Sequence, residues 1–300
     1  MRKNKEKSAS VSVIIPTMCS SVRCKLLERA IDSIFLNEGL DIQVIVVING
    51  DKYDKDLFDR LSNDDRLLIL KQNIANVSMA RLFGLSHSNA RYFCFLDDDD
   101  ELLPNGLRFR VDYLESHLDV DVLVTNGLIH RFDSVLPYLD EEKYKNKDIN
   151  IELALTEINW FSSPASIFRA SSVATDLFKS DLKYFEWTYL LLLLVVNNKS
   201  VKYVHHQTYK KNEDNNDSVS KTIEYKLASP QFLLSVKTLK LPATIKKILA
   251  KKYVASLHEL SEIYLREGRL KDAWLFHLKC LKNGGWVYIP YTRYLLESLL

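Results

Sequence analysis

The sequence predicts an α/β fold, in which a mostly parallel sheet carries helices on both faces, followed by a C-terminal helical extension. Short β-branched runs alternate with helical patterns over the first 125 residues, and the last 80 residues carry helical patterns alone. The second β-branched run is almost continuous Val and Ile, as in a strand that is buried on both faces. Helices are therefore expected on both sides of the sheet.

Five strands are predicted in the first half of the chain: Val11–Ile15, Gln43–Ile48, Leu67–Leu70, Arg91–Leu96 and Val120–Val124. Apolar residues recur at helical spacing between Leu26 and Ile34, and again from Leu107 to Leu118 after a Pro104-Asn105 start signal. The pattern then loosens, with a helix near residues 186–196 and a strand at Val201–Val204. The polar tract Lys210–Asp217 predicts a mobile loop, either a lid or a plain surface connection.

The C-terminal region predicts two helical features. Ile245, Ile248, Leu249 and Tyr253 line one helix face, and Lys246, Lys247, Lys251 and Lys252 line the other. Two interpretations stay open for this helix: peripheral contact with an anionic membrane surface, or packing on the core with solvated lysines. The segment Glu259–Lys282 predicts a helical hairpin similar to one tetratricopeptide-type unit, which could serve docking or formation of a homo-oligomer.

Composition places the chain among ordinary globular proteins, with 47% hydrophobic and 27% charged residues in 300. A net charge of +2 gives no argument for a nucleic-acid partner. Four cysteines without a CxxC pair predict reduced thiols. The polar N-terminus has no signal-peptide core, and the longest apolar run, Tyr189–Val196, is shorter than a membrane span. We expect a cytoplasmic protein, or one peripheral on the inner face of the cell membrane.

Four consecutive carboxylates, Asp97 to Asp100, follow the fourth predicted strand. Ligands of parallel sheets bind at the carboxyl ends of strands, which is where this cluster falls. Crowded like charges raise each other's pKa, so a cation is expected among them, and oxygen ligands favour Mg²⁺ or Mn²⁺. An EF-hand loop is excluded because Leu102 stands where that loop needs glycine. A solvated acidic loop is the alternative.

Four motifs, in their order and spacing, resemble a family 2 glycosyltransferase of the Rossmann-like GT-A fold. They are Val-Ser-Val-Ile-Ile-Pro-Thr at 11–17, Val-Ile-Val-Val-Ile-Asn-Gly-Asp at 44–51, Asn-Val-Ser-Met-Ala-Arg-Leu-Phe-Gly at 76–84 and Phe-Leu-Asp-Asp-Asp-Asp-Glu-Leu-Leu-Pro at 95–104. The resemblance extends from Val11 to about Ser220. It implies a nucleotide-sugar-binding half at 1–125, an acceptor-binding half at 126–220, and a separate helical region at 221–300.

The resemblance also implies inverting, metal-dependent transfer from a nucleoside-diphosphate sugar, with UDP favoured, to a hydroxyl of a surface glycan or lipid-linked saccharide. Asp97 and Asp99 match the family's DxD motif, with Asp97 at the ribose and Asp99 at the metal, Mn²⁺ or Mg²⁺. Asp98 fills the variable position, and Asp100 matches an additional acidic position, which we assign to the acceptor.

Three further residues match nucleotide-binding positions of the family. Thr17 and Asn49 would line the nucleobase, although the family usually has Asp where Asn49 stands, which leaves the nucleotide open. An amide oxygen can still accept a hydrogen bond from a base N–H. Arg81 would meet the diphosphate, and a structural salt bridge to the acidic cluster is the alternative.

The general base is expected at the start of a helix, where the family has Glu-Asp followed by an aromatic residue. Here the segment is Tyr184-Phe185-Glu186-Trp187, so the resemblance makes Glu186 the base and Trp187 a stacking surface for the acceptor sugar. The alternatives are a helix-terminal Glu186 and a core Trp187. Asn212 stands where the family's Tyr-Arg-x-His motif has His, and His205 and His206 are left out of the site.

Competing enzyme classes lack their motifs. A sugar-nucleotide pyrophosphorylase needs a Gly-rich loop after the first strand, and Pro16–Arg23 has no glycine. Glu101 argues against a phosphatase of the haloacid dehalogenase type, and no P-loop occurs. The remaining alternative is a catalytically idle GT-A scaffold that binds a partner through its C-terminal helices. Metal-dependent nucleotide binding would distinguish the two.

Overall fold

The computed structural model describes residues 9–131, 134–212 and 222–298. The chain divides into two compact units, residues 1–214 and 215–300. The strands are β1 (Val11–Thr17), β2 (Ile42–Asn49), β3 (Leu67–Gln72), β4 (Tyr92–Phe95), β5 (Glu101–Leu102), β6 (Val122–Arg131), β7 (Ser134–Pro137), β8 (Ser166–Arg169) and β9 (Val201–Asn212).

The α-helices of the first unit are α1 (Cys24–Ile34), α2 (Lys55–Ser62), α3 (Val77–Ser86), α4 (Gly106–Ser116), α5 (Glu141–Tyr144), α6 (Ile151–Thr156) and α7 (Glu186–Val196). Those of the second unit are α8 (Ile223–Ser235), α9 (Ala243–Arg266), α10 (Leu270–Lys282) and α11 (Tyr291–Glu297). The predicted α/β fold with C-terminal helices is confirmed.

One sheet contains all the described strands, in the order β3-β2-β1-β4-β8-β6-β9-β5, with β7 paired to β6. The pairs β3-β2, β2-β1, β1-β4 and β6-β9 are parallel. β8 is antiparallel to both β4 and β6, so β6 and β9 run in the same direction as β4. The carboxyl ends of β1, β2, β4 and β9 therefore share one edge of the sheet. The antiparallel strands β5, β7 and β8 were not predicted.

The core of the first unit follows the apolar patterns of the sequence. β1 is buried at every position, and Val44–Ile48 of β2 are buried as well. The helical spacing after β1 gives α1, which buries Leu27, Ala30, Ile31 and Ile34 against this core. Burial of apolar side chains is the main stabilising term for such a sheet, so these two strands and α1 fix the position of the loop after β1.

β9 extends much further than the predicted strand Val201–Val204. His205 and His206 lie within it, and its end pairs with β5 through Glu101 and Lys210, whose side chains also form an ion pair of 2.8 Å. The loop prediction is therefore wrong for Lys210–Asn212, because backbone pairing holds this polar segment as a strand. The remainder of the predicted loop, residues 213–217, lies outside the described residues.

Two close contacts fix β9 beside the acidic loop. A Cβ atom on Gly127 would overlap the Tyr209 ring, so only glycine allows β6 and Tyr209 to approach this closely. The guanidinium of the fully buried Arg110, on α4, donates through Nε to Thr208 Oγ1 at 2.8 Å. Burial lowers the Arg110 pKa to about 10. These contacts place the end of β9 near Asp99 and Asp100.

The second unit is described from residue 222 to residue 298. α9 buries Ile245, Leu249 and Tyr253, while Lys246 and Lys247 are exposed, as the amphipathic pattern predicts. α9 and α10 are joined at Gly268, whose φ of +72° is the left-handed conformation that favours glycine. Across the described part of the chain, no helix combines the length and the apolar character that crossing a bilayer requires.

Candidate active site

The acidic loop, residues 97–100 after β4, alternates between partly exposed and buried carboxylates. The side chains of Asp97 and Asp99 are 37% and 35% exposed, whereas Asp98 and Asp100 are buried. The four carboxylates thus form two pairs with different surroundings. The partly exposed pair can reach a ligand, while the buried pair requires partners within the protein.

Asp98 is held by the loop that follows β1. Thr17 Oγ1 donates to Asp98 Oδ2 at 2.6 Å, and Arg23 Nε donates to Asp98 Oδ1 at 3.1 Å. Arg23 Nη2 also forms an ion pair with Asp98 Oδ1 and lies 2.9 Å from Asp99 Oδ2. The hydrogen bond to Asp98 raises the Arg23 pKa, so the guanidinium is a permanent cation of the cluster. The sequence analysis missed Arg23, although β1 and β4 end side by side.

Asp100 and Asp99 meet the end of β9. The Asn212 backbone N–H donates to Asp100 Oδ1 at 3.3 Å, and Asn212 Nδ2 donates to the Asp99 carbonyl oxygen at 2.7 Å. Asn212 Oδ1 is buried and has no hydrogen-bond partner among the described residues. Burial, with Asp97 and Asp99 nearby, raises the pKa of Asp100 well above its ordinary value. Burial also raises the Asp99 pKa, although Arg23 acts in the opposite direction.

Arg81, on α3, joins two predicted site residues. Its Nη2 atom donates to Asp97 Oδ1 at 2.8 Å, and its Nη1 atom lies 3.4 Å from Glu186 Oε1. The salt bridge to the acidic cluster, which the sequence left open as an alternative, is therefore present. Arg81 Nε is buried without a partner among the described residues. One guanidinium thus connects the predicted ribose-binding carboxylate with the predicted base.

Glu186 is the first residue of α7 and follows Phe185, whose φ is +66°. A carboxylate in the first turn of a helix is stabilised by the helix dipole. The Trp187 ring lies 6.0 Å from the Phe95 ring and 5.7 Å from the Phe161 ring, so Trp187 is partly a core residue. The guanidinium carbon of Arg81 lies 5.3 Å from the Trp187 ring centroid.

A small pocket of about 30 Å³ lies beside Glu186. Its polar lining includes Ser78, Arg81 and Glu186, and its apolar lining includes Trp187 and Leu190. Ser78 Oγ, like Arg81 Nε, is buried without a partner among the described residues. The pocket therefore offers unsatisfied donors next to a carboxylate, which suits a ligand that carries hydroxyl groups.

The two residues predicted at the nucleobase lie on adjacent strand ends, where Thr17 is in register with Ile48, one residue before Asn49. The hydroxyl hydrogen of Thr17 goes to Asp98. Asn49 Oδ1 accepts from Asn76 N at 2.7 Å and from Gln72 Nε2 at 2.8 Å, which uses both of its lone pairs. These bonds also fix the orientation of the amide. Within the described residues its NH₂ group is left as the free donor, and contact with a base stays a prediction.

Among the described residues, no three His, Cys, Asp or Glu side chains converge as a group that could hold a metal by themselves. Mg²⁺ is commonly held by one or two carboxylates together with substrate phosphates, so a three-residue protein site is not required. The half-exposed oxygens of Asp97 and Asp99 are donors of the hard type that Mg²⁺ and Mn²⁺ prefer. The donor set fits such an ion when a diphosphate completes the coordination.

The sheet, with the acidic loop at its carboxyl edge, is the arrangement expected of an enzyme of the glycosyltransferase class. The model of the family "Glycosyl transferase family 2" matches residues 12–173, more than half of the chain. The chain therefore belongs to glycosyl transferase family 2.

Similar proteins agree with this assignment. An uncharacterized glycosyltransferase of Rickettsia typhi is 28% identical over 149 residues, which cover 49% of this chain and 46% of that protein. A Campylobacter jejuni protein named GalNAc(5)-diNAcBac-PP-undecaprenol beta-1,3-glucosyltransferase is 36% identical over 101 residues, 32% of each chain. The chain spans about half the length, or less, of these curated relatives.

A comparison with solved structures finds the same fold in a protein of S. aureus. A crystal structure of residues 1–349 of S. aureus TarS in complex with UDP-GlcNAc has a TM-score of 0.61 at 15% identity, covering 88% of this chain and 89% of that chain. The same protein in complex with UDP gives a TM-score of 0.56, covering 83% and 71%. At this identity the likeness shows the GT-A fold alone.

Proposed function

We propose that the protein transfers a sugar, with inversion, from a nucleoside-diphosphate sugar to a hydroxyl of a saccharide or lipid-linked saccharide. The observation that carries the proposal is Arg81, which holds Asp97 and Glu186 on one guanidinium. That arrangement brings the predicted donor site and the predicted base next to each other. The UDP-GlcNAc complex of TarS and the name of the Campylobacter relative support a UDP-linked donor and a lipid-linked acceptor.

In the proposed donor site, Asp99 holds Mn²⁺ or Mg²⁺ together with diphosphate oxygens, and Asp97 contacts the ribose. When bound, the cation neutralises charge that develops on the diphosphate as the glycosidic bond breaks. Asp98, paired with Thr17 and Arg23, holds the loop so that the carboxylates on either side of it remain accessible. Asn49 offers its NH₂ group to a carbonyl oxygen of the base, such as those of uracil.

In the proposed acceptor site, Glu186 removes the proton from the attacking hydroxyl. The acceptor oxygen bonds to the anomeric carbon while the bond from that carbon to the diphosphate oxygen breaks, and the proton passes to a Glu186 oxygen. Arg81 Nη1, 3.4 Å from Glu186 Oε1, orients this carboxylate. The exposed part of Trp187 stacks on the acceptor sugar. Asp100, which the resemblance assigned to the acceptor, is 2% exposed, and it keeps the end of the acidic loop against Asn212 instead.

The test is thermal unfolding with UDP, GDP, dTDP and CMP, each with and without Mn²⁺, on wild type, Asp99→Ala and Asp65→Ala. Asp65 is an exposed aspartate of the same unit and serves as the matched control. A ligand at about 100 times its dissociation constant stabilises by about 2.7 kcal/mol, which for a unit of this size raises Tm by roughly 5 to 10 °C.

We expect one nucleoside diphosphate to raise Tm only when Mn²⁺ is present. Asp99→Ala should abolish the shift, because it removes the proposed metal ligand, and Asp65→Ala should retain it. If no nucleotide shifts wild type, the catalytically idle scaffold becomes the better explanation. A shift that Asp99→Ala retains in full would remove Asp99 from the donor site.

A further inference from the structure

A second cavity lies between α7, the start of β9 and the segment from Tyr144 to Ile151. It has a volume of about 430 Å³. Tyr203, which lines it, precedes Lys210 by seven residues on β9, about 23 Å at roughly 3.3 Å per residue. Lys210 is the residue that pairs with Glu101 at the acidic loop. The cavity is therefore separate from the proposed donor site.

The lining of this cavity is basic. It contains Lys145, Lys147, Lys199 and Lys202 against a single acid, Asp148. Lys147 is neutralised by Glu157 at 2.7 Å. Lys199 and Lys202 have no acidic side chain within ion-pair distance in the described part of the chain. Lys199 and Lys202 both line the cavity without a paired acid, so they create a positive field over it, and such a field attracts anions.

The same cavity has aromatic walls with unsatisfied polar atoms. Trp160 and Tyr203 lie with ring centroids 5.8 Å apart, and His205 follows on the same face of β9 with its ring 5.0 Å from Tyr203. Tyr203 Oη and His205 Nδ1 are both buried without hydrogen-bond partners among the described residues. Burial raises the Tyr203 pKa, so its hydroxyl stays protonated and remains a donor at neutral pH. Two unsatisfied polar atoms in one wall point to a missing partner.

We propose that this cavity is a second binding site for an anionic saccharide, a sugar ring that carries a phosphate or carboxylate group. Lys199 and Lys202 attract the anion, and the aromatic walls contact the C–H face of the ring. Tyr203 donates its hydroxyl hydrogen to a ligand oxygen when the ligand enters. A cavity of about 430 Å³ lies within the range of small-molecule sites, roughly 300 to 1,000 Å³. The site needs neither metal nor nucleotide and is independent of the proposed transfer reaction.

The experiment is isothermal titration of the full chain, in chelator and without nucleotide, with three probes: glucose 6-phosphate, glucuronic acid and glucose. We expect a charged probe to bind at least about tenfold more tightly than glucose, and binding to weaken as salt is raised from about 50 to about 300 mM. Binding of the phosphate alone, or of the uronate alone, identifies the anionic group. Equal affinity for glucose, or no binding of either charged probe, overturns the proposal.

Two variants test the residues. Lys199→Ala with Lys202→Ala should weaken binding of the charged probe about tenfold or more, because it removes both unpaired ammonium groups. The control, Lys246→Ala with Lys247→Ala, removes the same charge from the exposed face of α9 and should leave affinity unchanged. Tyr203→Phe, which keeps the ring, should weaken binding by a few fold. If the variant that lacks both Lys199 and Lys202 binds the charged probe as wild type does, the site is refuted. Nucleotide-dependent unfolding that is unchanged in the same samples shows that the donor site is intact.

Discussion

The substitution Arg23→Ala tests whether Arg23 is the counter-ion of the acidic loop and competes with a metal ion for Asp99. Arg23 donates to Asp98 through two nitrogens and contacts Asp99 Oδ2 at 2.9 Å. Its removal leaves the buried Asp98 carboxylate with the Thr17 hydroxyl as its one remaining hydrogen-bond partner among the described residues. Breaking a buried ion pair costs about 3 to 5 kcal/mol. Because the Arg23 side chain is 33% exposed, solvent screening reduces the expected loss to about 2 to 3 kcal/mol.

The expected loss corresponds to a fall in Tm of roughly 5 to 10 °C for a unit of this size. Divalent cations should raise the Tm of Arg23→Ala more than they raise the Tm of wild type. In wild type the guanidinium of Arg23 already lies against Asp99 and offsets its charge. Mn²⁺ should also bind the variant without nucleotide, because Arg23 no longer competes for the Asp99 oxygen. Thermal unfolding with and without Mn²⁺ measures the first effect, and the paramagnetic resonance signal of free Mn²⁺ measures the second.

The matched control is Arg66→Ala, which removes an arginine paired with Asp64 at 2.7 Å on the surface. An exposed pair contributes roughly 1 kcal/mol or less, so this variant should lose little stability and gain no sensitivity to Mn²⁺. If Arg23→Ala is as stable as wild type, or if Mn²⁺ stabilises both proteins equally, Arg23 is not the counter-ion of the acidic loop.

Two further predictions concern the general base and the pH dependence of stability and of metal binding. Glu186→Gln should lower kcat about 10²- to 10⁴-fold while metal-dependent nucleotide binding persists, because only the proton acceptor is lost. If the Glu186→Gln enzyme keeps its activity, another residue is the base. Burial raises the folded-state pKa of Asp99 and Asp100, so their contribution to stability is present at low pH and falls as pH rises from the ordinary carboxyl pKa through the raised values. Metal binding needs these carboxylates ionised, so Mn²⁺ affinity measured by titration should rise over the same range, and a flat profile would contradict the raised Asp99 pKa.

The sequence was most informative where local pattern and burial coincide. The apolar runs that became β1 and β2, and the helical spacing of α1, could be predicted because their side chains fill the core whatever the rest of the chain does. β8 could not be predicted, because an antiparallel strand of four residues between β4 and β6 depends on pairing across the chain. The extension of β9 through Asn212 depends likewise on its pairing with β5 and β6.

The residues of the candidate site divide in the same way, into those that a local motif predicts and those that depend on contacts between distant parts of the chain. Asp97 and Asp99 were found because they lie in a contiguous motif at a strand end. Arg23 and the Arg81 bridge from Asp97 to Glu186 join residues that are far apart in the chain, 75 residues for Arg23 and Asp98 and 105 for Arg81 and Glu186. Nothing in local spacing predicts such pairs. The fixed amide of Asn49 likewise depends on Gln72 and Asn76, whose donors reach its oxygen only once β2 and β3 have paired.

The alternating burial of the acidic loop explains why a run of four aspartates is stable in the protein. Asp97 to Asp100 form a turn, closed by a 3.1 Å hydrogen bond from the Asp100 N–H to the Asp97 carbonyl oxygen, and in this turn Asp98 and Asp100 face inward while Asp97 and Asp99 stay accessible. Asp98 is neutralised by Arg23, and Asp100 accepts the Asn212 N–H with a raised pKa that favours its neutral form. The loop therefore adds fewer negative charges than its sequence suggests, and its accessible carboxylates, Asp97 and Asp99, are the two that the proposed donor site assigns to the ribose and the metal. On this argument, Asp98→Asn should act through the stability of the loop and Asp99→Asn through metal-dependent nucleotide binding.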